Sequence, residues 1–393
     1  MKPKERILAT ISNQPVDRVP VCHLNFSGYA ARVILGKDDV WVGGEHSQWV
    51  AMKKLWEGQD AYREWLDQRE KDVVELQKAC GHDMLRLRYW PWTRKPTRKI
   101  DEHTFLFGDP DGDWFTMTYD PELELLTHKE GVAGQGKPVS TSDLDRAPDE
   151  GALRREVEAA EARAEQEPPG ENPYGWLTSA IARYPDYMIR AGGGTVFVDM
   201  RSQTQLMESA LWPDLFARKL MAQARWICKT TVPWLAETGL EVNVGGMDFC
   251  FPQGPTISPG VFRDVVAPAL KLIVDGCHRR GMYYFYASDG NFWPVADTLF
   301  HDIGIDGWFE TDKSSGMDIR RLREAYPHLA IQGNIQVQVL HVGTPDDVVR
   351  DVTECLEAAH EVGGVICGTS NMIMPGTPPE NIEAMLETIE RLR

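Results

Sequence analysis

Missing features narrow this sequence before present ones do. It has no C-x-x-C pair: Cys22, Cys80, Cys228, Cys250, Cys277, Cys355 and Cys367 are scattered through 393 residues. That pattern disfavours a zinc ribbon, a thioredoxin-like motif and, the count being odd, a closed disulfide framework. Such thiols suit a reducing compartment. No run of about 18 apolar residues is present, the length a membrane helix needs. The opening MKPKERILATISNQP is charged and helix-like, without the apolar stretch of a secretory signal. A cytoplasmic protein is expected. Basic charge is also short, with 42 Lys and Arg against 59 Asp and Glu and a net charge of −17. Nucleic acid demands a basic field, and no tract of Lys and Arg interleaved with aromatics supplies one. The acidity reads as solubility.

A glycine-rich phosphate turn is absent as well. An open dinucleotide-binding sheet carries G-x-G-x-x-G after its first strand, and HLNFSGYAA has no such spacing. What is there instead is alternation. Short apolar, β-branched runs are separated by segments of helical spacing, as in βα units around a parallel sheet. Strands are predicted at 18–26, 83–90, 187–195, 240–248, 282–288, 304–310, 329–335 and 364–370. Helices are predicted at 259–280, 318–325, 345–361 and 378–392, with a charged surface helix at 150–167. Thr344-Pro345-Asp346-Asp347 places a cap, a proline and acids at one helix start. Eight strands are the number that closes a (β/α)8 TIM-type barrel, although counting alone does not prove closure. An α/β barrel forming a single domain over 1–393 is the expectation, with a β-hairpin inserted near 95–140 around Asp109-Pro110-Asp111-Gly112.

Barrel enzymes react at the C-terminal ends of their strands, so the strand ends give the candidate site. Asp248 follows two glycines and precedes Phe249, an arrangement that sets a carboxylate against an aromatic wall able to raise its proton affinity. Glu310 ends GIDGWFE and is not a turn former. Asp289 lies in SDGN, which a turn would explain equally well. These three are the expected catalytic groups. His23, Asn25, Trp90, Phe249, Tyr286, Ser288, Gln332, Asn334 and Asn371 are the expected substrate-binding groups. Metal content stays open; His23, Asp289 and Glu310 are the residues that would hold an ion. Cys367, in mid-strand, reads as core.

The segments KPKERILATISNQPVDRVPV, PTISPGVFRDVVAPALKLIVDGCHRRG, SDGN, GIDGWFE, GMDIRRLREAYPHLAIQGNIQVQVL, GTPDDVVRDV and PGTPPENIEAMLE stand in order at fitting spacing. Together they resemble the uroporphyrinogen decarboxylase-like superfamily over nearly the whole chain. The resemblance implies a (β/α)8 barrel, an active site in its mouth and often a homodimer. It also implies one of two chemistries, cofactor-free decarboxylation or methyl transfer with a corrinoid protein. The porphyrinogen-binding decarboxylases carry an arginine-rich motif where this chain reads VCHLNFSGYAARV, and an aspartate where DMLRLRYW ends in Trp90. Thiol-activating methyltransferases hold zinc with His-x-Cys and a later Cys, where this chain has Ala287-Ser288-Asp289 and a position near Asn371. Zinc prefers Cys and His, so this set is a poor substitute. The leading expectation is a methyltransferase or demethylase using a corrinoid or folate methyl carrier and a small organic substrate. A decarboxylase or other carbon–carbon lyase on a non-porphyrin acid, and a non-catalytic binding barrel, are the alternatives.

Overall fold

The computed structural model describes residues 1–88, 92–130, 132–133, 137–138 and 147–393. Seven parallel strands follow one another around the sheet: Met84–Leu85, Met188–Gly192, Val242–Gly246, Tyr283–Ala287, Gly307–Thr311, Ala330–Gly333 and Val365–Ile366. Segment 20–26 closes the ring. Cys22 N–H donates to Cys367 O (2.9 Å), Cys367 N–H to Pro20 O (2.8 Å), and Asp83 N–H to Val21 O (2.8 Å). The first position is paired by single bridges, Val21 to Cys367 and Phe26 to Ile373. Pro20, which has no N–H, cannot extend that ladder.

One apolar cluster fills the barrel. Cys22, Leu24, Met84, Met188, Val242, Phe285, Phe309, Ala330 and Ile366 form it, so all eight positions contribute, and Ile7 and Ile11 of the helix Pro3–Ile11 plug the N-terminal end. Burying a side chain the size of Phe285 or Phe309 stabilises by roughly 1.5–3 kcal/mol. The floor is fastened by charge. Arg6 Nη1 bonds the Asp83 carboxylate, both residues being almost fully buried, and the second Asp83 oxygen accepts the Val21 N–H at 2.9 Å. Arg6 also reaches Asp17 at 2.7 Å and 3.0 Å.

The insertion is larger than the expected hairpin. Arg98–Lys99, Thr104–Gly108, Trp114–Asp120 and Leu125–Glu130 form a four-stranded antiparallel sheet. Its tightest turn is the one at Asp109–Gly112, where Asp109 N–H donates to Asp113 O and Asp111 N–H to Asp109 Oδ1. Phe105, Phe107, Met117 and Tyr119 pack with Trp49 and Met52 of the helix Gly44–Glu57 as a separate small core. Glu124 clasps the sheet to the barrel by accepting the Gly28 N–H (2.6 Å) and Arg32 Nη2 (2.8 Å).

The predicted helices appear as Ile319–Ala325, Pro345–Val362, Pro379–Leu392 and Glu150–Glu165. The helix expected over 259–280 is instead Pro259–Val261, a wide-turn stretch Phe262–Val266, then Ala267–His278. Pro268 can neither donate to the preceding turn nor fit a regular one, and the wider turn accommodates it. Among the described residues no helix is long and apolar enough to cross a membrane.

Candidate active site

Alternation along a strand decides which strand-end residues face the barrel axis. Val242 and Phe285 face inward. Counting in twos from them brings Asp248 and Asp289 inward at the mouth. Phe309 is inward too, so its neighbour Glu310 should point out with Trp308, which packs in the helix layer. A bulge corrects this. Trp308 pairs with Ile331 and Thr311 with Gly333, three residues of advance against two, and Glu310 takes φ 74°. That left-handed conformation is costly for a non-glycine residue and persists only where surroundings impose it.

The result is convergence. Carboxylate oxygens of Asp248, Asp289 and Glu310 all lie within 4.8 Å of one another, as expected for the three catalytic candidates. Asp248 sits on the open rim; Asp289 and Glu310 are half-buried. Burial raises the proton affinity of Glu310, and the charges of Asp248 and Asp289 raise it further against Arg86 and Arg190, to a pKa of about 8. Desolvation also raises Asp248, helped by the charge of Asp289. In Asp289 desolvation and the charge of Asp312 outweigh the Asn371 amide, which donates to it at 3.2 Å. At neutral pH such a cluster holds a proton or a cation.

The glycines before Asp248 are needed for close approach. A Cβ on Gly246 would lie 2.1 Å from Ala287 O, and one on Gly245 1.7 Å from Tyr284 Oη.

Several of the expected substrate-binding residues have other duties. Gln332 is fully buried and knits three strands: its Oε1 accepts the Glu310 N–H (3.1 Å), and its Nε2 donates to Cys22 O (2.7 Å) and Thr369 O (3.2 Å). With both amide hydrogens used, it holds the Glu310 backbone in place. Gln332→Leu leaves these three backbone groups unpaired. A loss of ~2–4 kcal/mol in urea denaturation is expected, together with a lower kcat at unchanged KM. Phe249 stacks on Phe262 (4.9 Å between ring centres) inside the core, so it is no wall of the mouth. Tyr286 is buried with its hydroxyl donating to Met247 O at 3.4 Å. Ser288 is buried, and its carbonyl accepts the Trp308 indole N–H at 2.9 Å. Asn334 is buried, with its backbone N–H on Cys355 Sγ. Asn371 stays in the site beside Asp289. Trp90 lies outside the described residues.

His23 does not stand with Asp289 and Glu310 as expected; Asp248 is the acid beside them. Its Nδ1 accepts the Thr369 N–H (3.2 Å), so the ring is neutral with its proton on Nε2, and burial lowers its pKa to about 4. His23 and Asn25 line a cavity beside Arg86, Arg190 and His82. Arg86 and His82 were not singled out from the sequence. The one sign of them is a cation inside the apolar run of DMLRLRYW, where alternation from inward Met84 turns Arg86 to the axis.

Residues 247–392, which contain all three carboxylates, match the family model described as Uroporphyrinogen decarboxylase (URO-D). This stretch is uroporphyrinogen decarboxylase-like. Uroporphyrinogen decarboxylase of Geotalea daltonii is 26% identical over 143 residues, and that of Trichlorobacter lovleyi 27% over 143 residues. Either alignment covers 35% of this chain and 39% of the relative, so the match spans well under half of the relatives' length. A methyltransferase from Methanosarcina mazei superposes over 100% of this chain and 99% of its own, with TM-score 0.58 and 18% identity. That likeness is one of fold. The uroporphyrinogen decarboxylase-like segment thus brings the acids, while Arg86, Arg190 and His23 come from the part before it.

Proposed function

We propose that this chain is a uroporphyrinogen decarboxylase-like methyltransferase or demethylase, moving a methyl group between a small organic molecule and a corrinoid protein. The observation that carries the reading is Glu310, a carboxyl held protonated to about pH 8 at the centre of a cluster of acids. A methyl–oxygen or methyl–nitrogen bond breaks readily only if the departing heteroatom receives a proton. Glu310 would supply it: the heteroatom keeps the bonding electron pair and takes the proton, while the partner protein's corrinoid, in its reduced nucleophilic form, would supply the electron pair that receives the methyl group. Asp248 on the open rim returns the proton from water, and Asp289, fixed by Asn371, holds the substrate's reacting end. The whole-length likeness to a methyltransferase fold supports this reading.

The donor set also bears on metals. Three carboxylates suit a hard divalent cation such as Mg2+ or Mn2+, and fit zinc less well than Cys and His would. Such an ion would be held by Asp248, Asp289 and Glu310 and would take the place of the proton.

The test is methyl transfer from small methoxy and N-methyl compounds to cob(I)alamin, and the reverse from methylcobalamin to the corresponding hydroxy and amino compounds. Turnover that depends on the corrinoid supports the reading; its absence across the panel rejects it. A second reading, decarboxylation of a non-porphyrin acid, draws on the decarboxylase relatives. It requires carbon dioxide release with no corrinoid added.

A further inference from the structure

The mouth of this barrel is electrically two-sided. The fourth, fifth and sixth strands end in Asp248, Asp289 and Glu310, whereas the second and third carry Arg86 and Arg190. Behind the two arginines, against the helices Gly44–Glu57 and Gln59–Ala79, lies the cavity of about 40 Å3. Arg69 lines it too, and among the described residues lining it there is no Asp or Glu. Arg86 and Arg190 feel the Glu310 carboxyl across the mouth, and a buried guanidinium is stabilised further by a counter-charge within the cavity.

Among the described residues, three buried donors in this wall have no partner: Nε of Arg190, which is 4% exposed, Nε2 of His23, which is 1% exposed, and Nδ1 of His82, whose Nε2 accepts the His23 N–H. The Thr369 N–H fixes the His23 proton on its orphaned Nε2. Arg190 is held by its Nη2, which donates to Leu24 O at 2.9 Å, and by stacking 4.4 Å above the Phe309 ring. The Gln77 side chain exchanges two bonds with the Arg86 backbone (2.8 and 3.0 Å) and fixes its place on the wall. These are fixed groups and not floppy surface cations. The volume suits roughly three waters, or the two oxygens of one carboxylate and a solvent molecule.

We propose that Arg190 and His23 form a carboxylate-binding subsite, so that the substrate is a methylated small carboxylic acid. Its anionic end lies on the arginine side of the mouth and its methyl-bearing end faces Glu310. A guanidinium grips a carboxylate through two parallel N–H bonds, and the neutral imidazole adds a third donor. The carboxylate completes the unpaired groups, and the fixed spacing across the mouth sets which acids fit. This deepens the methyl-transfer reading and rests on it for the identity of the reacting end.

The test compares methoxyacetate with its neutral counterpart methoxyethanol by ligand-observed NMR titration of the full chain. The acid should bind about 10- to 100-fold more tightly, the usual worth of charge-assisted hydrogen bonds, and Arg190→Gln should remove that preference. Glu310→Gln should leave it intact. Equal binding by the wild-type chain, or a preference that survives Arg190→Gln, overturns the subsite. Should Arg190→Gln fail to fold, the wild-type chain still decides. Acetate must raise its melting temperature and displace methoxyacetate, and chloride at equal ionic strength must do neither. Displacement by chloride as effective as by acetate marks an adventitious ion only and overturns the proposal. Preference for the acid with no methyl transfer from any donor supports the subsite while rejecting the methyl-transfer reading, so the two fail separately.

Discussion

Glu310→Gln will lower methyl-transfer turnover by ~10²–10⁴-fold, the usual contribution of a positioned general acid. Gln keeps the size and hydrogen-bonding shape of the side chain but has no proton to give. Wild-type turnover should fall as pH climbs through about 8, because that is where Glu310 ionises; the variant's residual rate should lack this limb. A variant within tenfold of wild type, or a limb that persists in it, removes Glu310 from the acid role. Stability follows the same direction. In the unfolded chain the carboxyl ionises near 4.5, whereas in the fold it keeps its proton to about 8. Between those values the folded state binds more protons, so stability declines as pH rises. Glu310→Gln abolishes that decline. Urea denaturation at a mildly acidic and a mildly alkaline pH should show the wild-type slope and a flatter variant.

Asp83→Asn should unfold much of the protein's margin. It leaves the buried Arg6 guanidinium facing a neutral amide at the seam where segment 20–26 joins the strand Met84–Leu85. Removing one partner of a buried ion pair costs about 3–5 kcal/mol, against a net domain stability of roughly 5–15 kcal/mol. The neighbouring Asp17 softens the loss by retaining part of Arg6, but it is itself open to solvent. Replacing both partners with apolar residues of similar volume, Arg6→Met with Asp83→Leu, should recover part of the deficit, because the Arg6 charge is then not stranded, although the buried Arg393, 3.9 Å from Asp83, still loses that partner. Equilibrium denaturation of the wild-type chain and the two variants decides it. If the double variant is as unstable as Asp83→Asn, the seam depends on the Val21 bond and not on charge.

The barrel was readable because its determinants are local. Alternating apolar runs, a capped helix start at Thr344 and eight strand-like segments each declare themselves within a dozen residues, and a shared interior layer joins them. Asp248 and Asp289 were readable for the same reason, since position at a strand end and parity together place them. The same logic misled at Phe249, Tyr286, Ser288 and Gln332, which lie at strand ends and are nevertheless buried. Sequence position gives a residue's height along the barrel but not whether its atoms are already engaged. Gln332 shows the difference, since its partners Cys22, Glu310 and Thr369 lie on three other strands or their ends. The orphaned donors of Arg190 and His23 were equally illegible, because an unmet hydrogen bond is a property of the folded surroundings. The insertion was visible as a hairpin, while its outer strands, Arg98–Lys99 and Leu125–Glu130, lack a clear alternating signal.

The bulge at Glu310 makes this chemistry hard to transplant. A designer copying Asp248, Asp289 and Glu310 onto a regular barrel would see the third acid swing toward the outer helices, since one extra residue is what reverses its side. The graft would have to carry the whole Trp308–Thr311 stretch together with the glutamine that steadies it. By the same token, deleting one residue there should disarm the enzyme while leaving the scaffold recognisable.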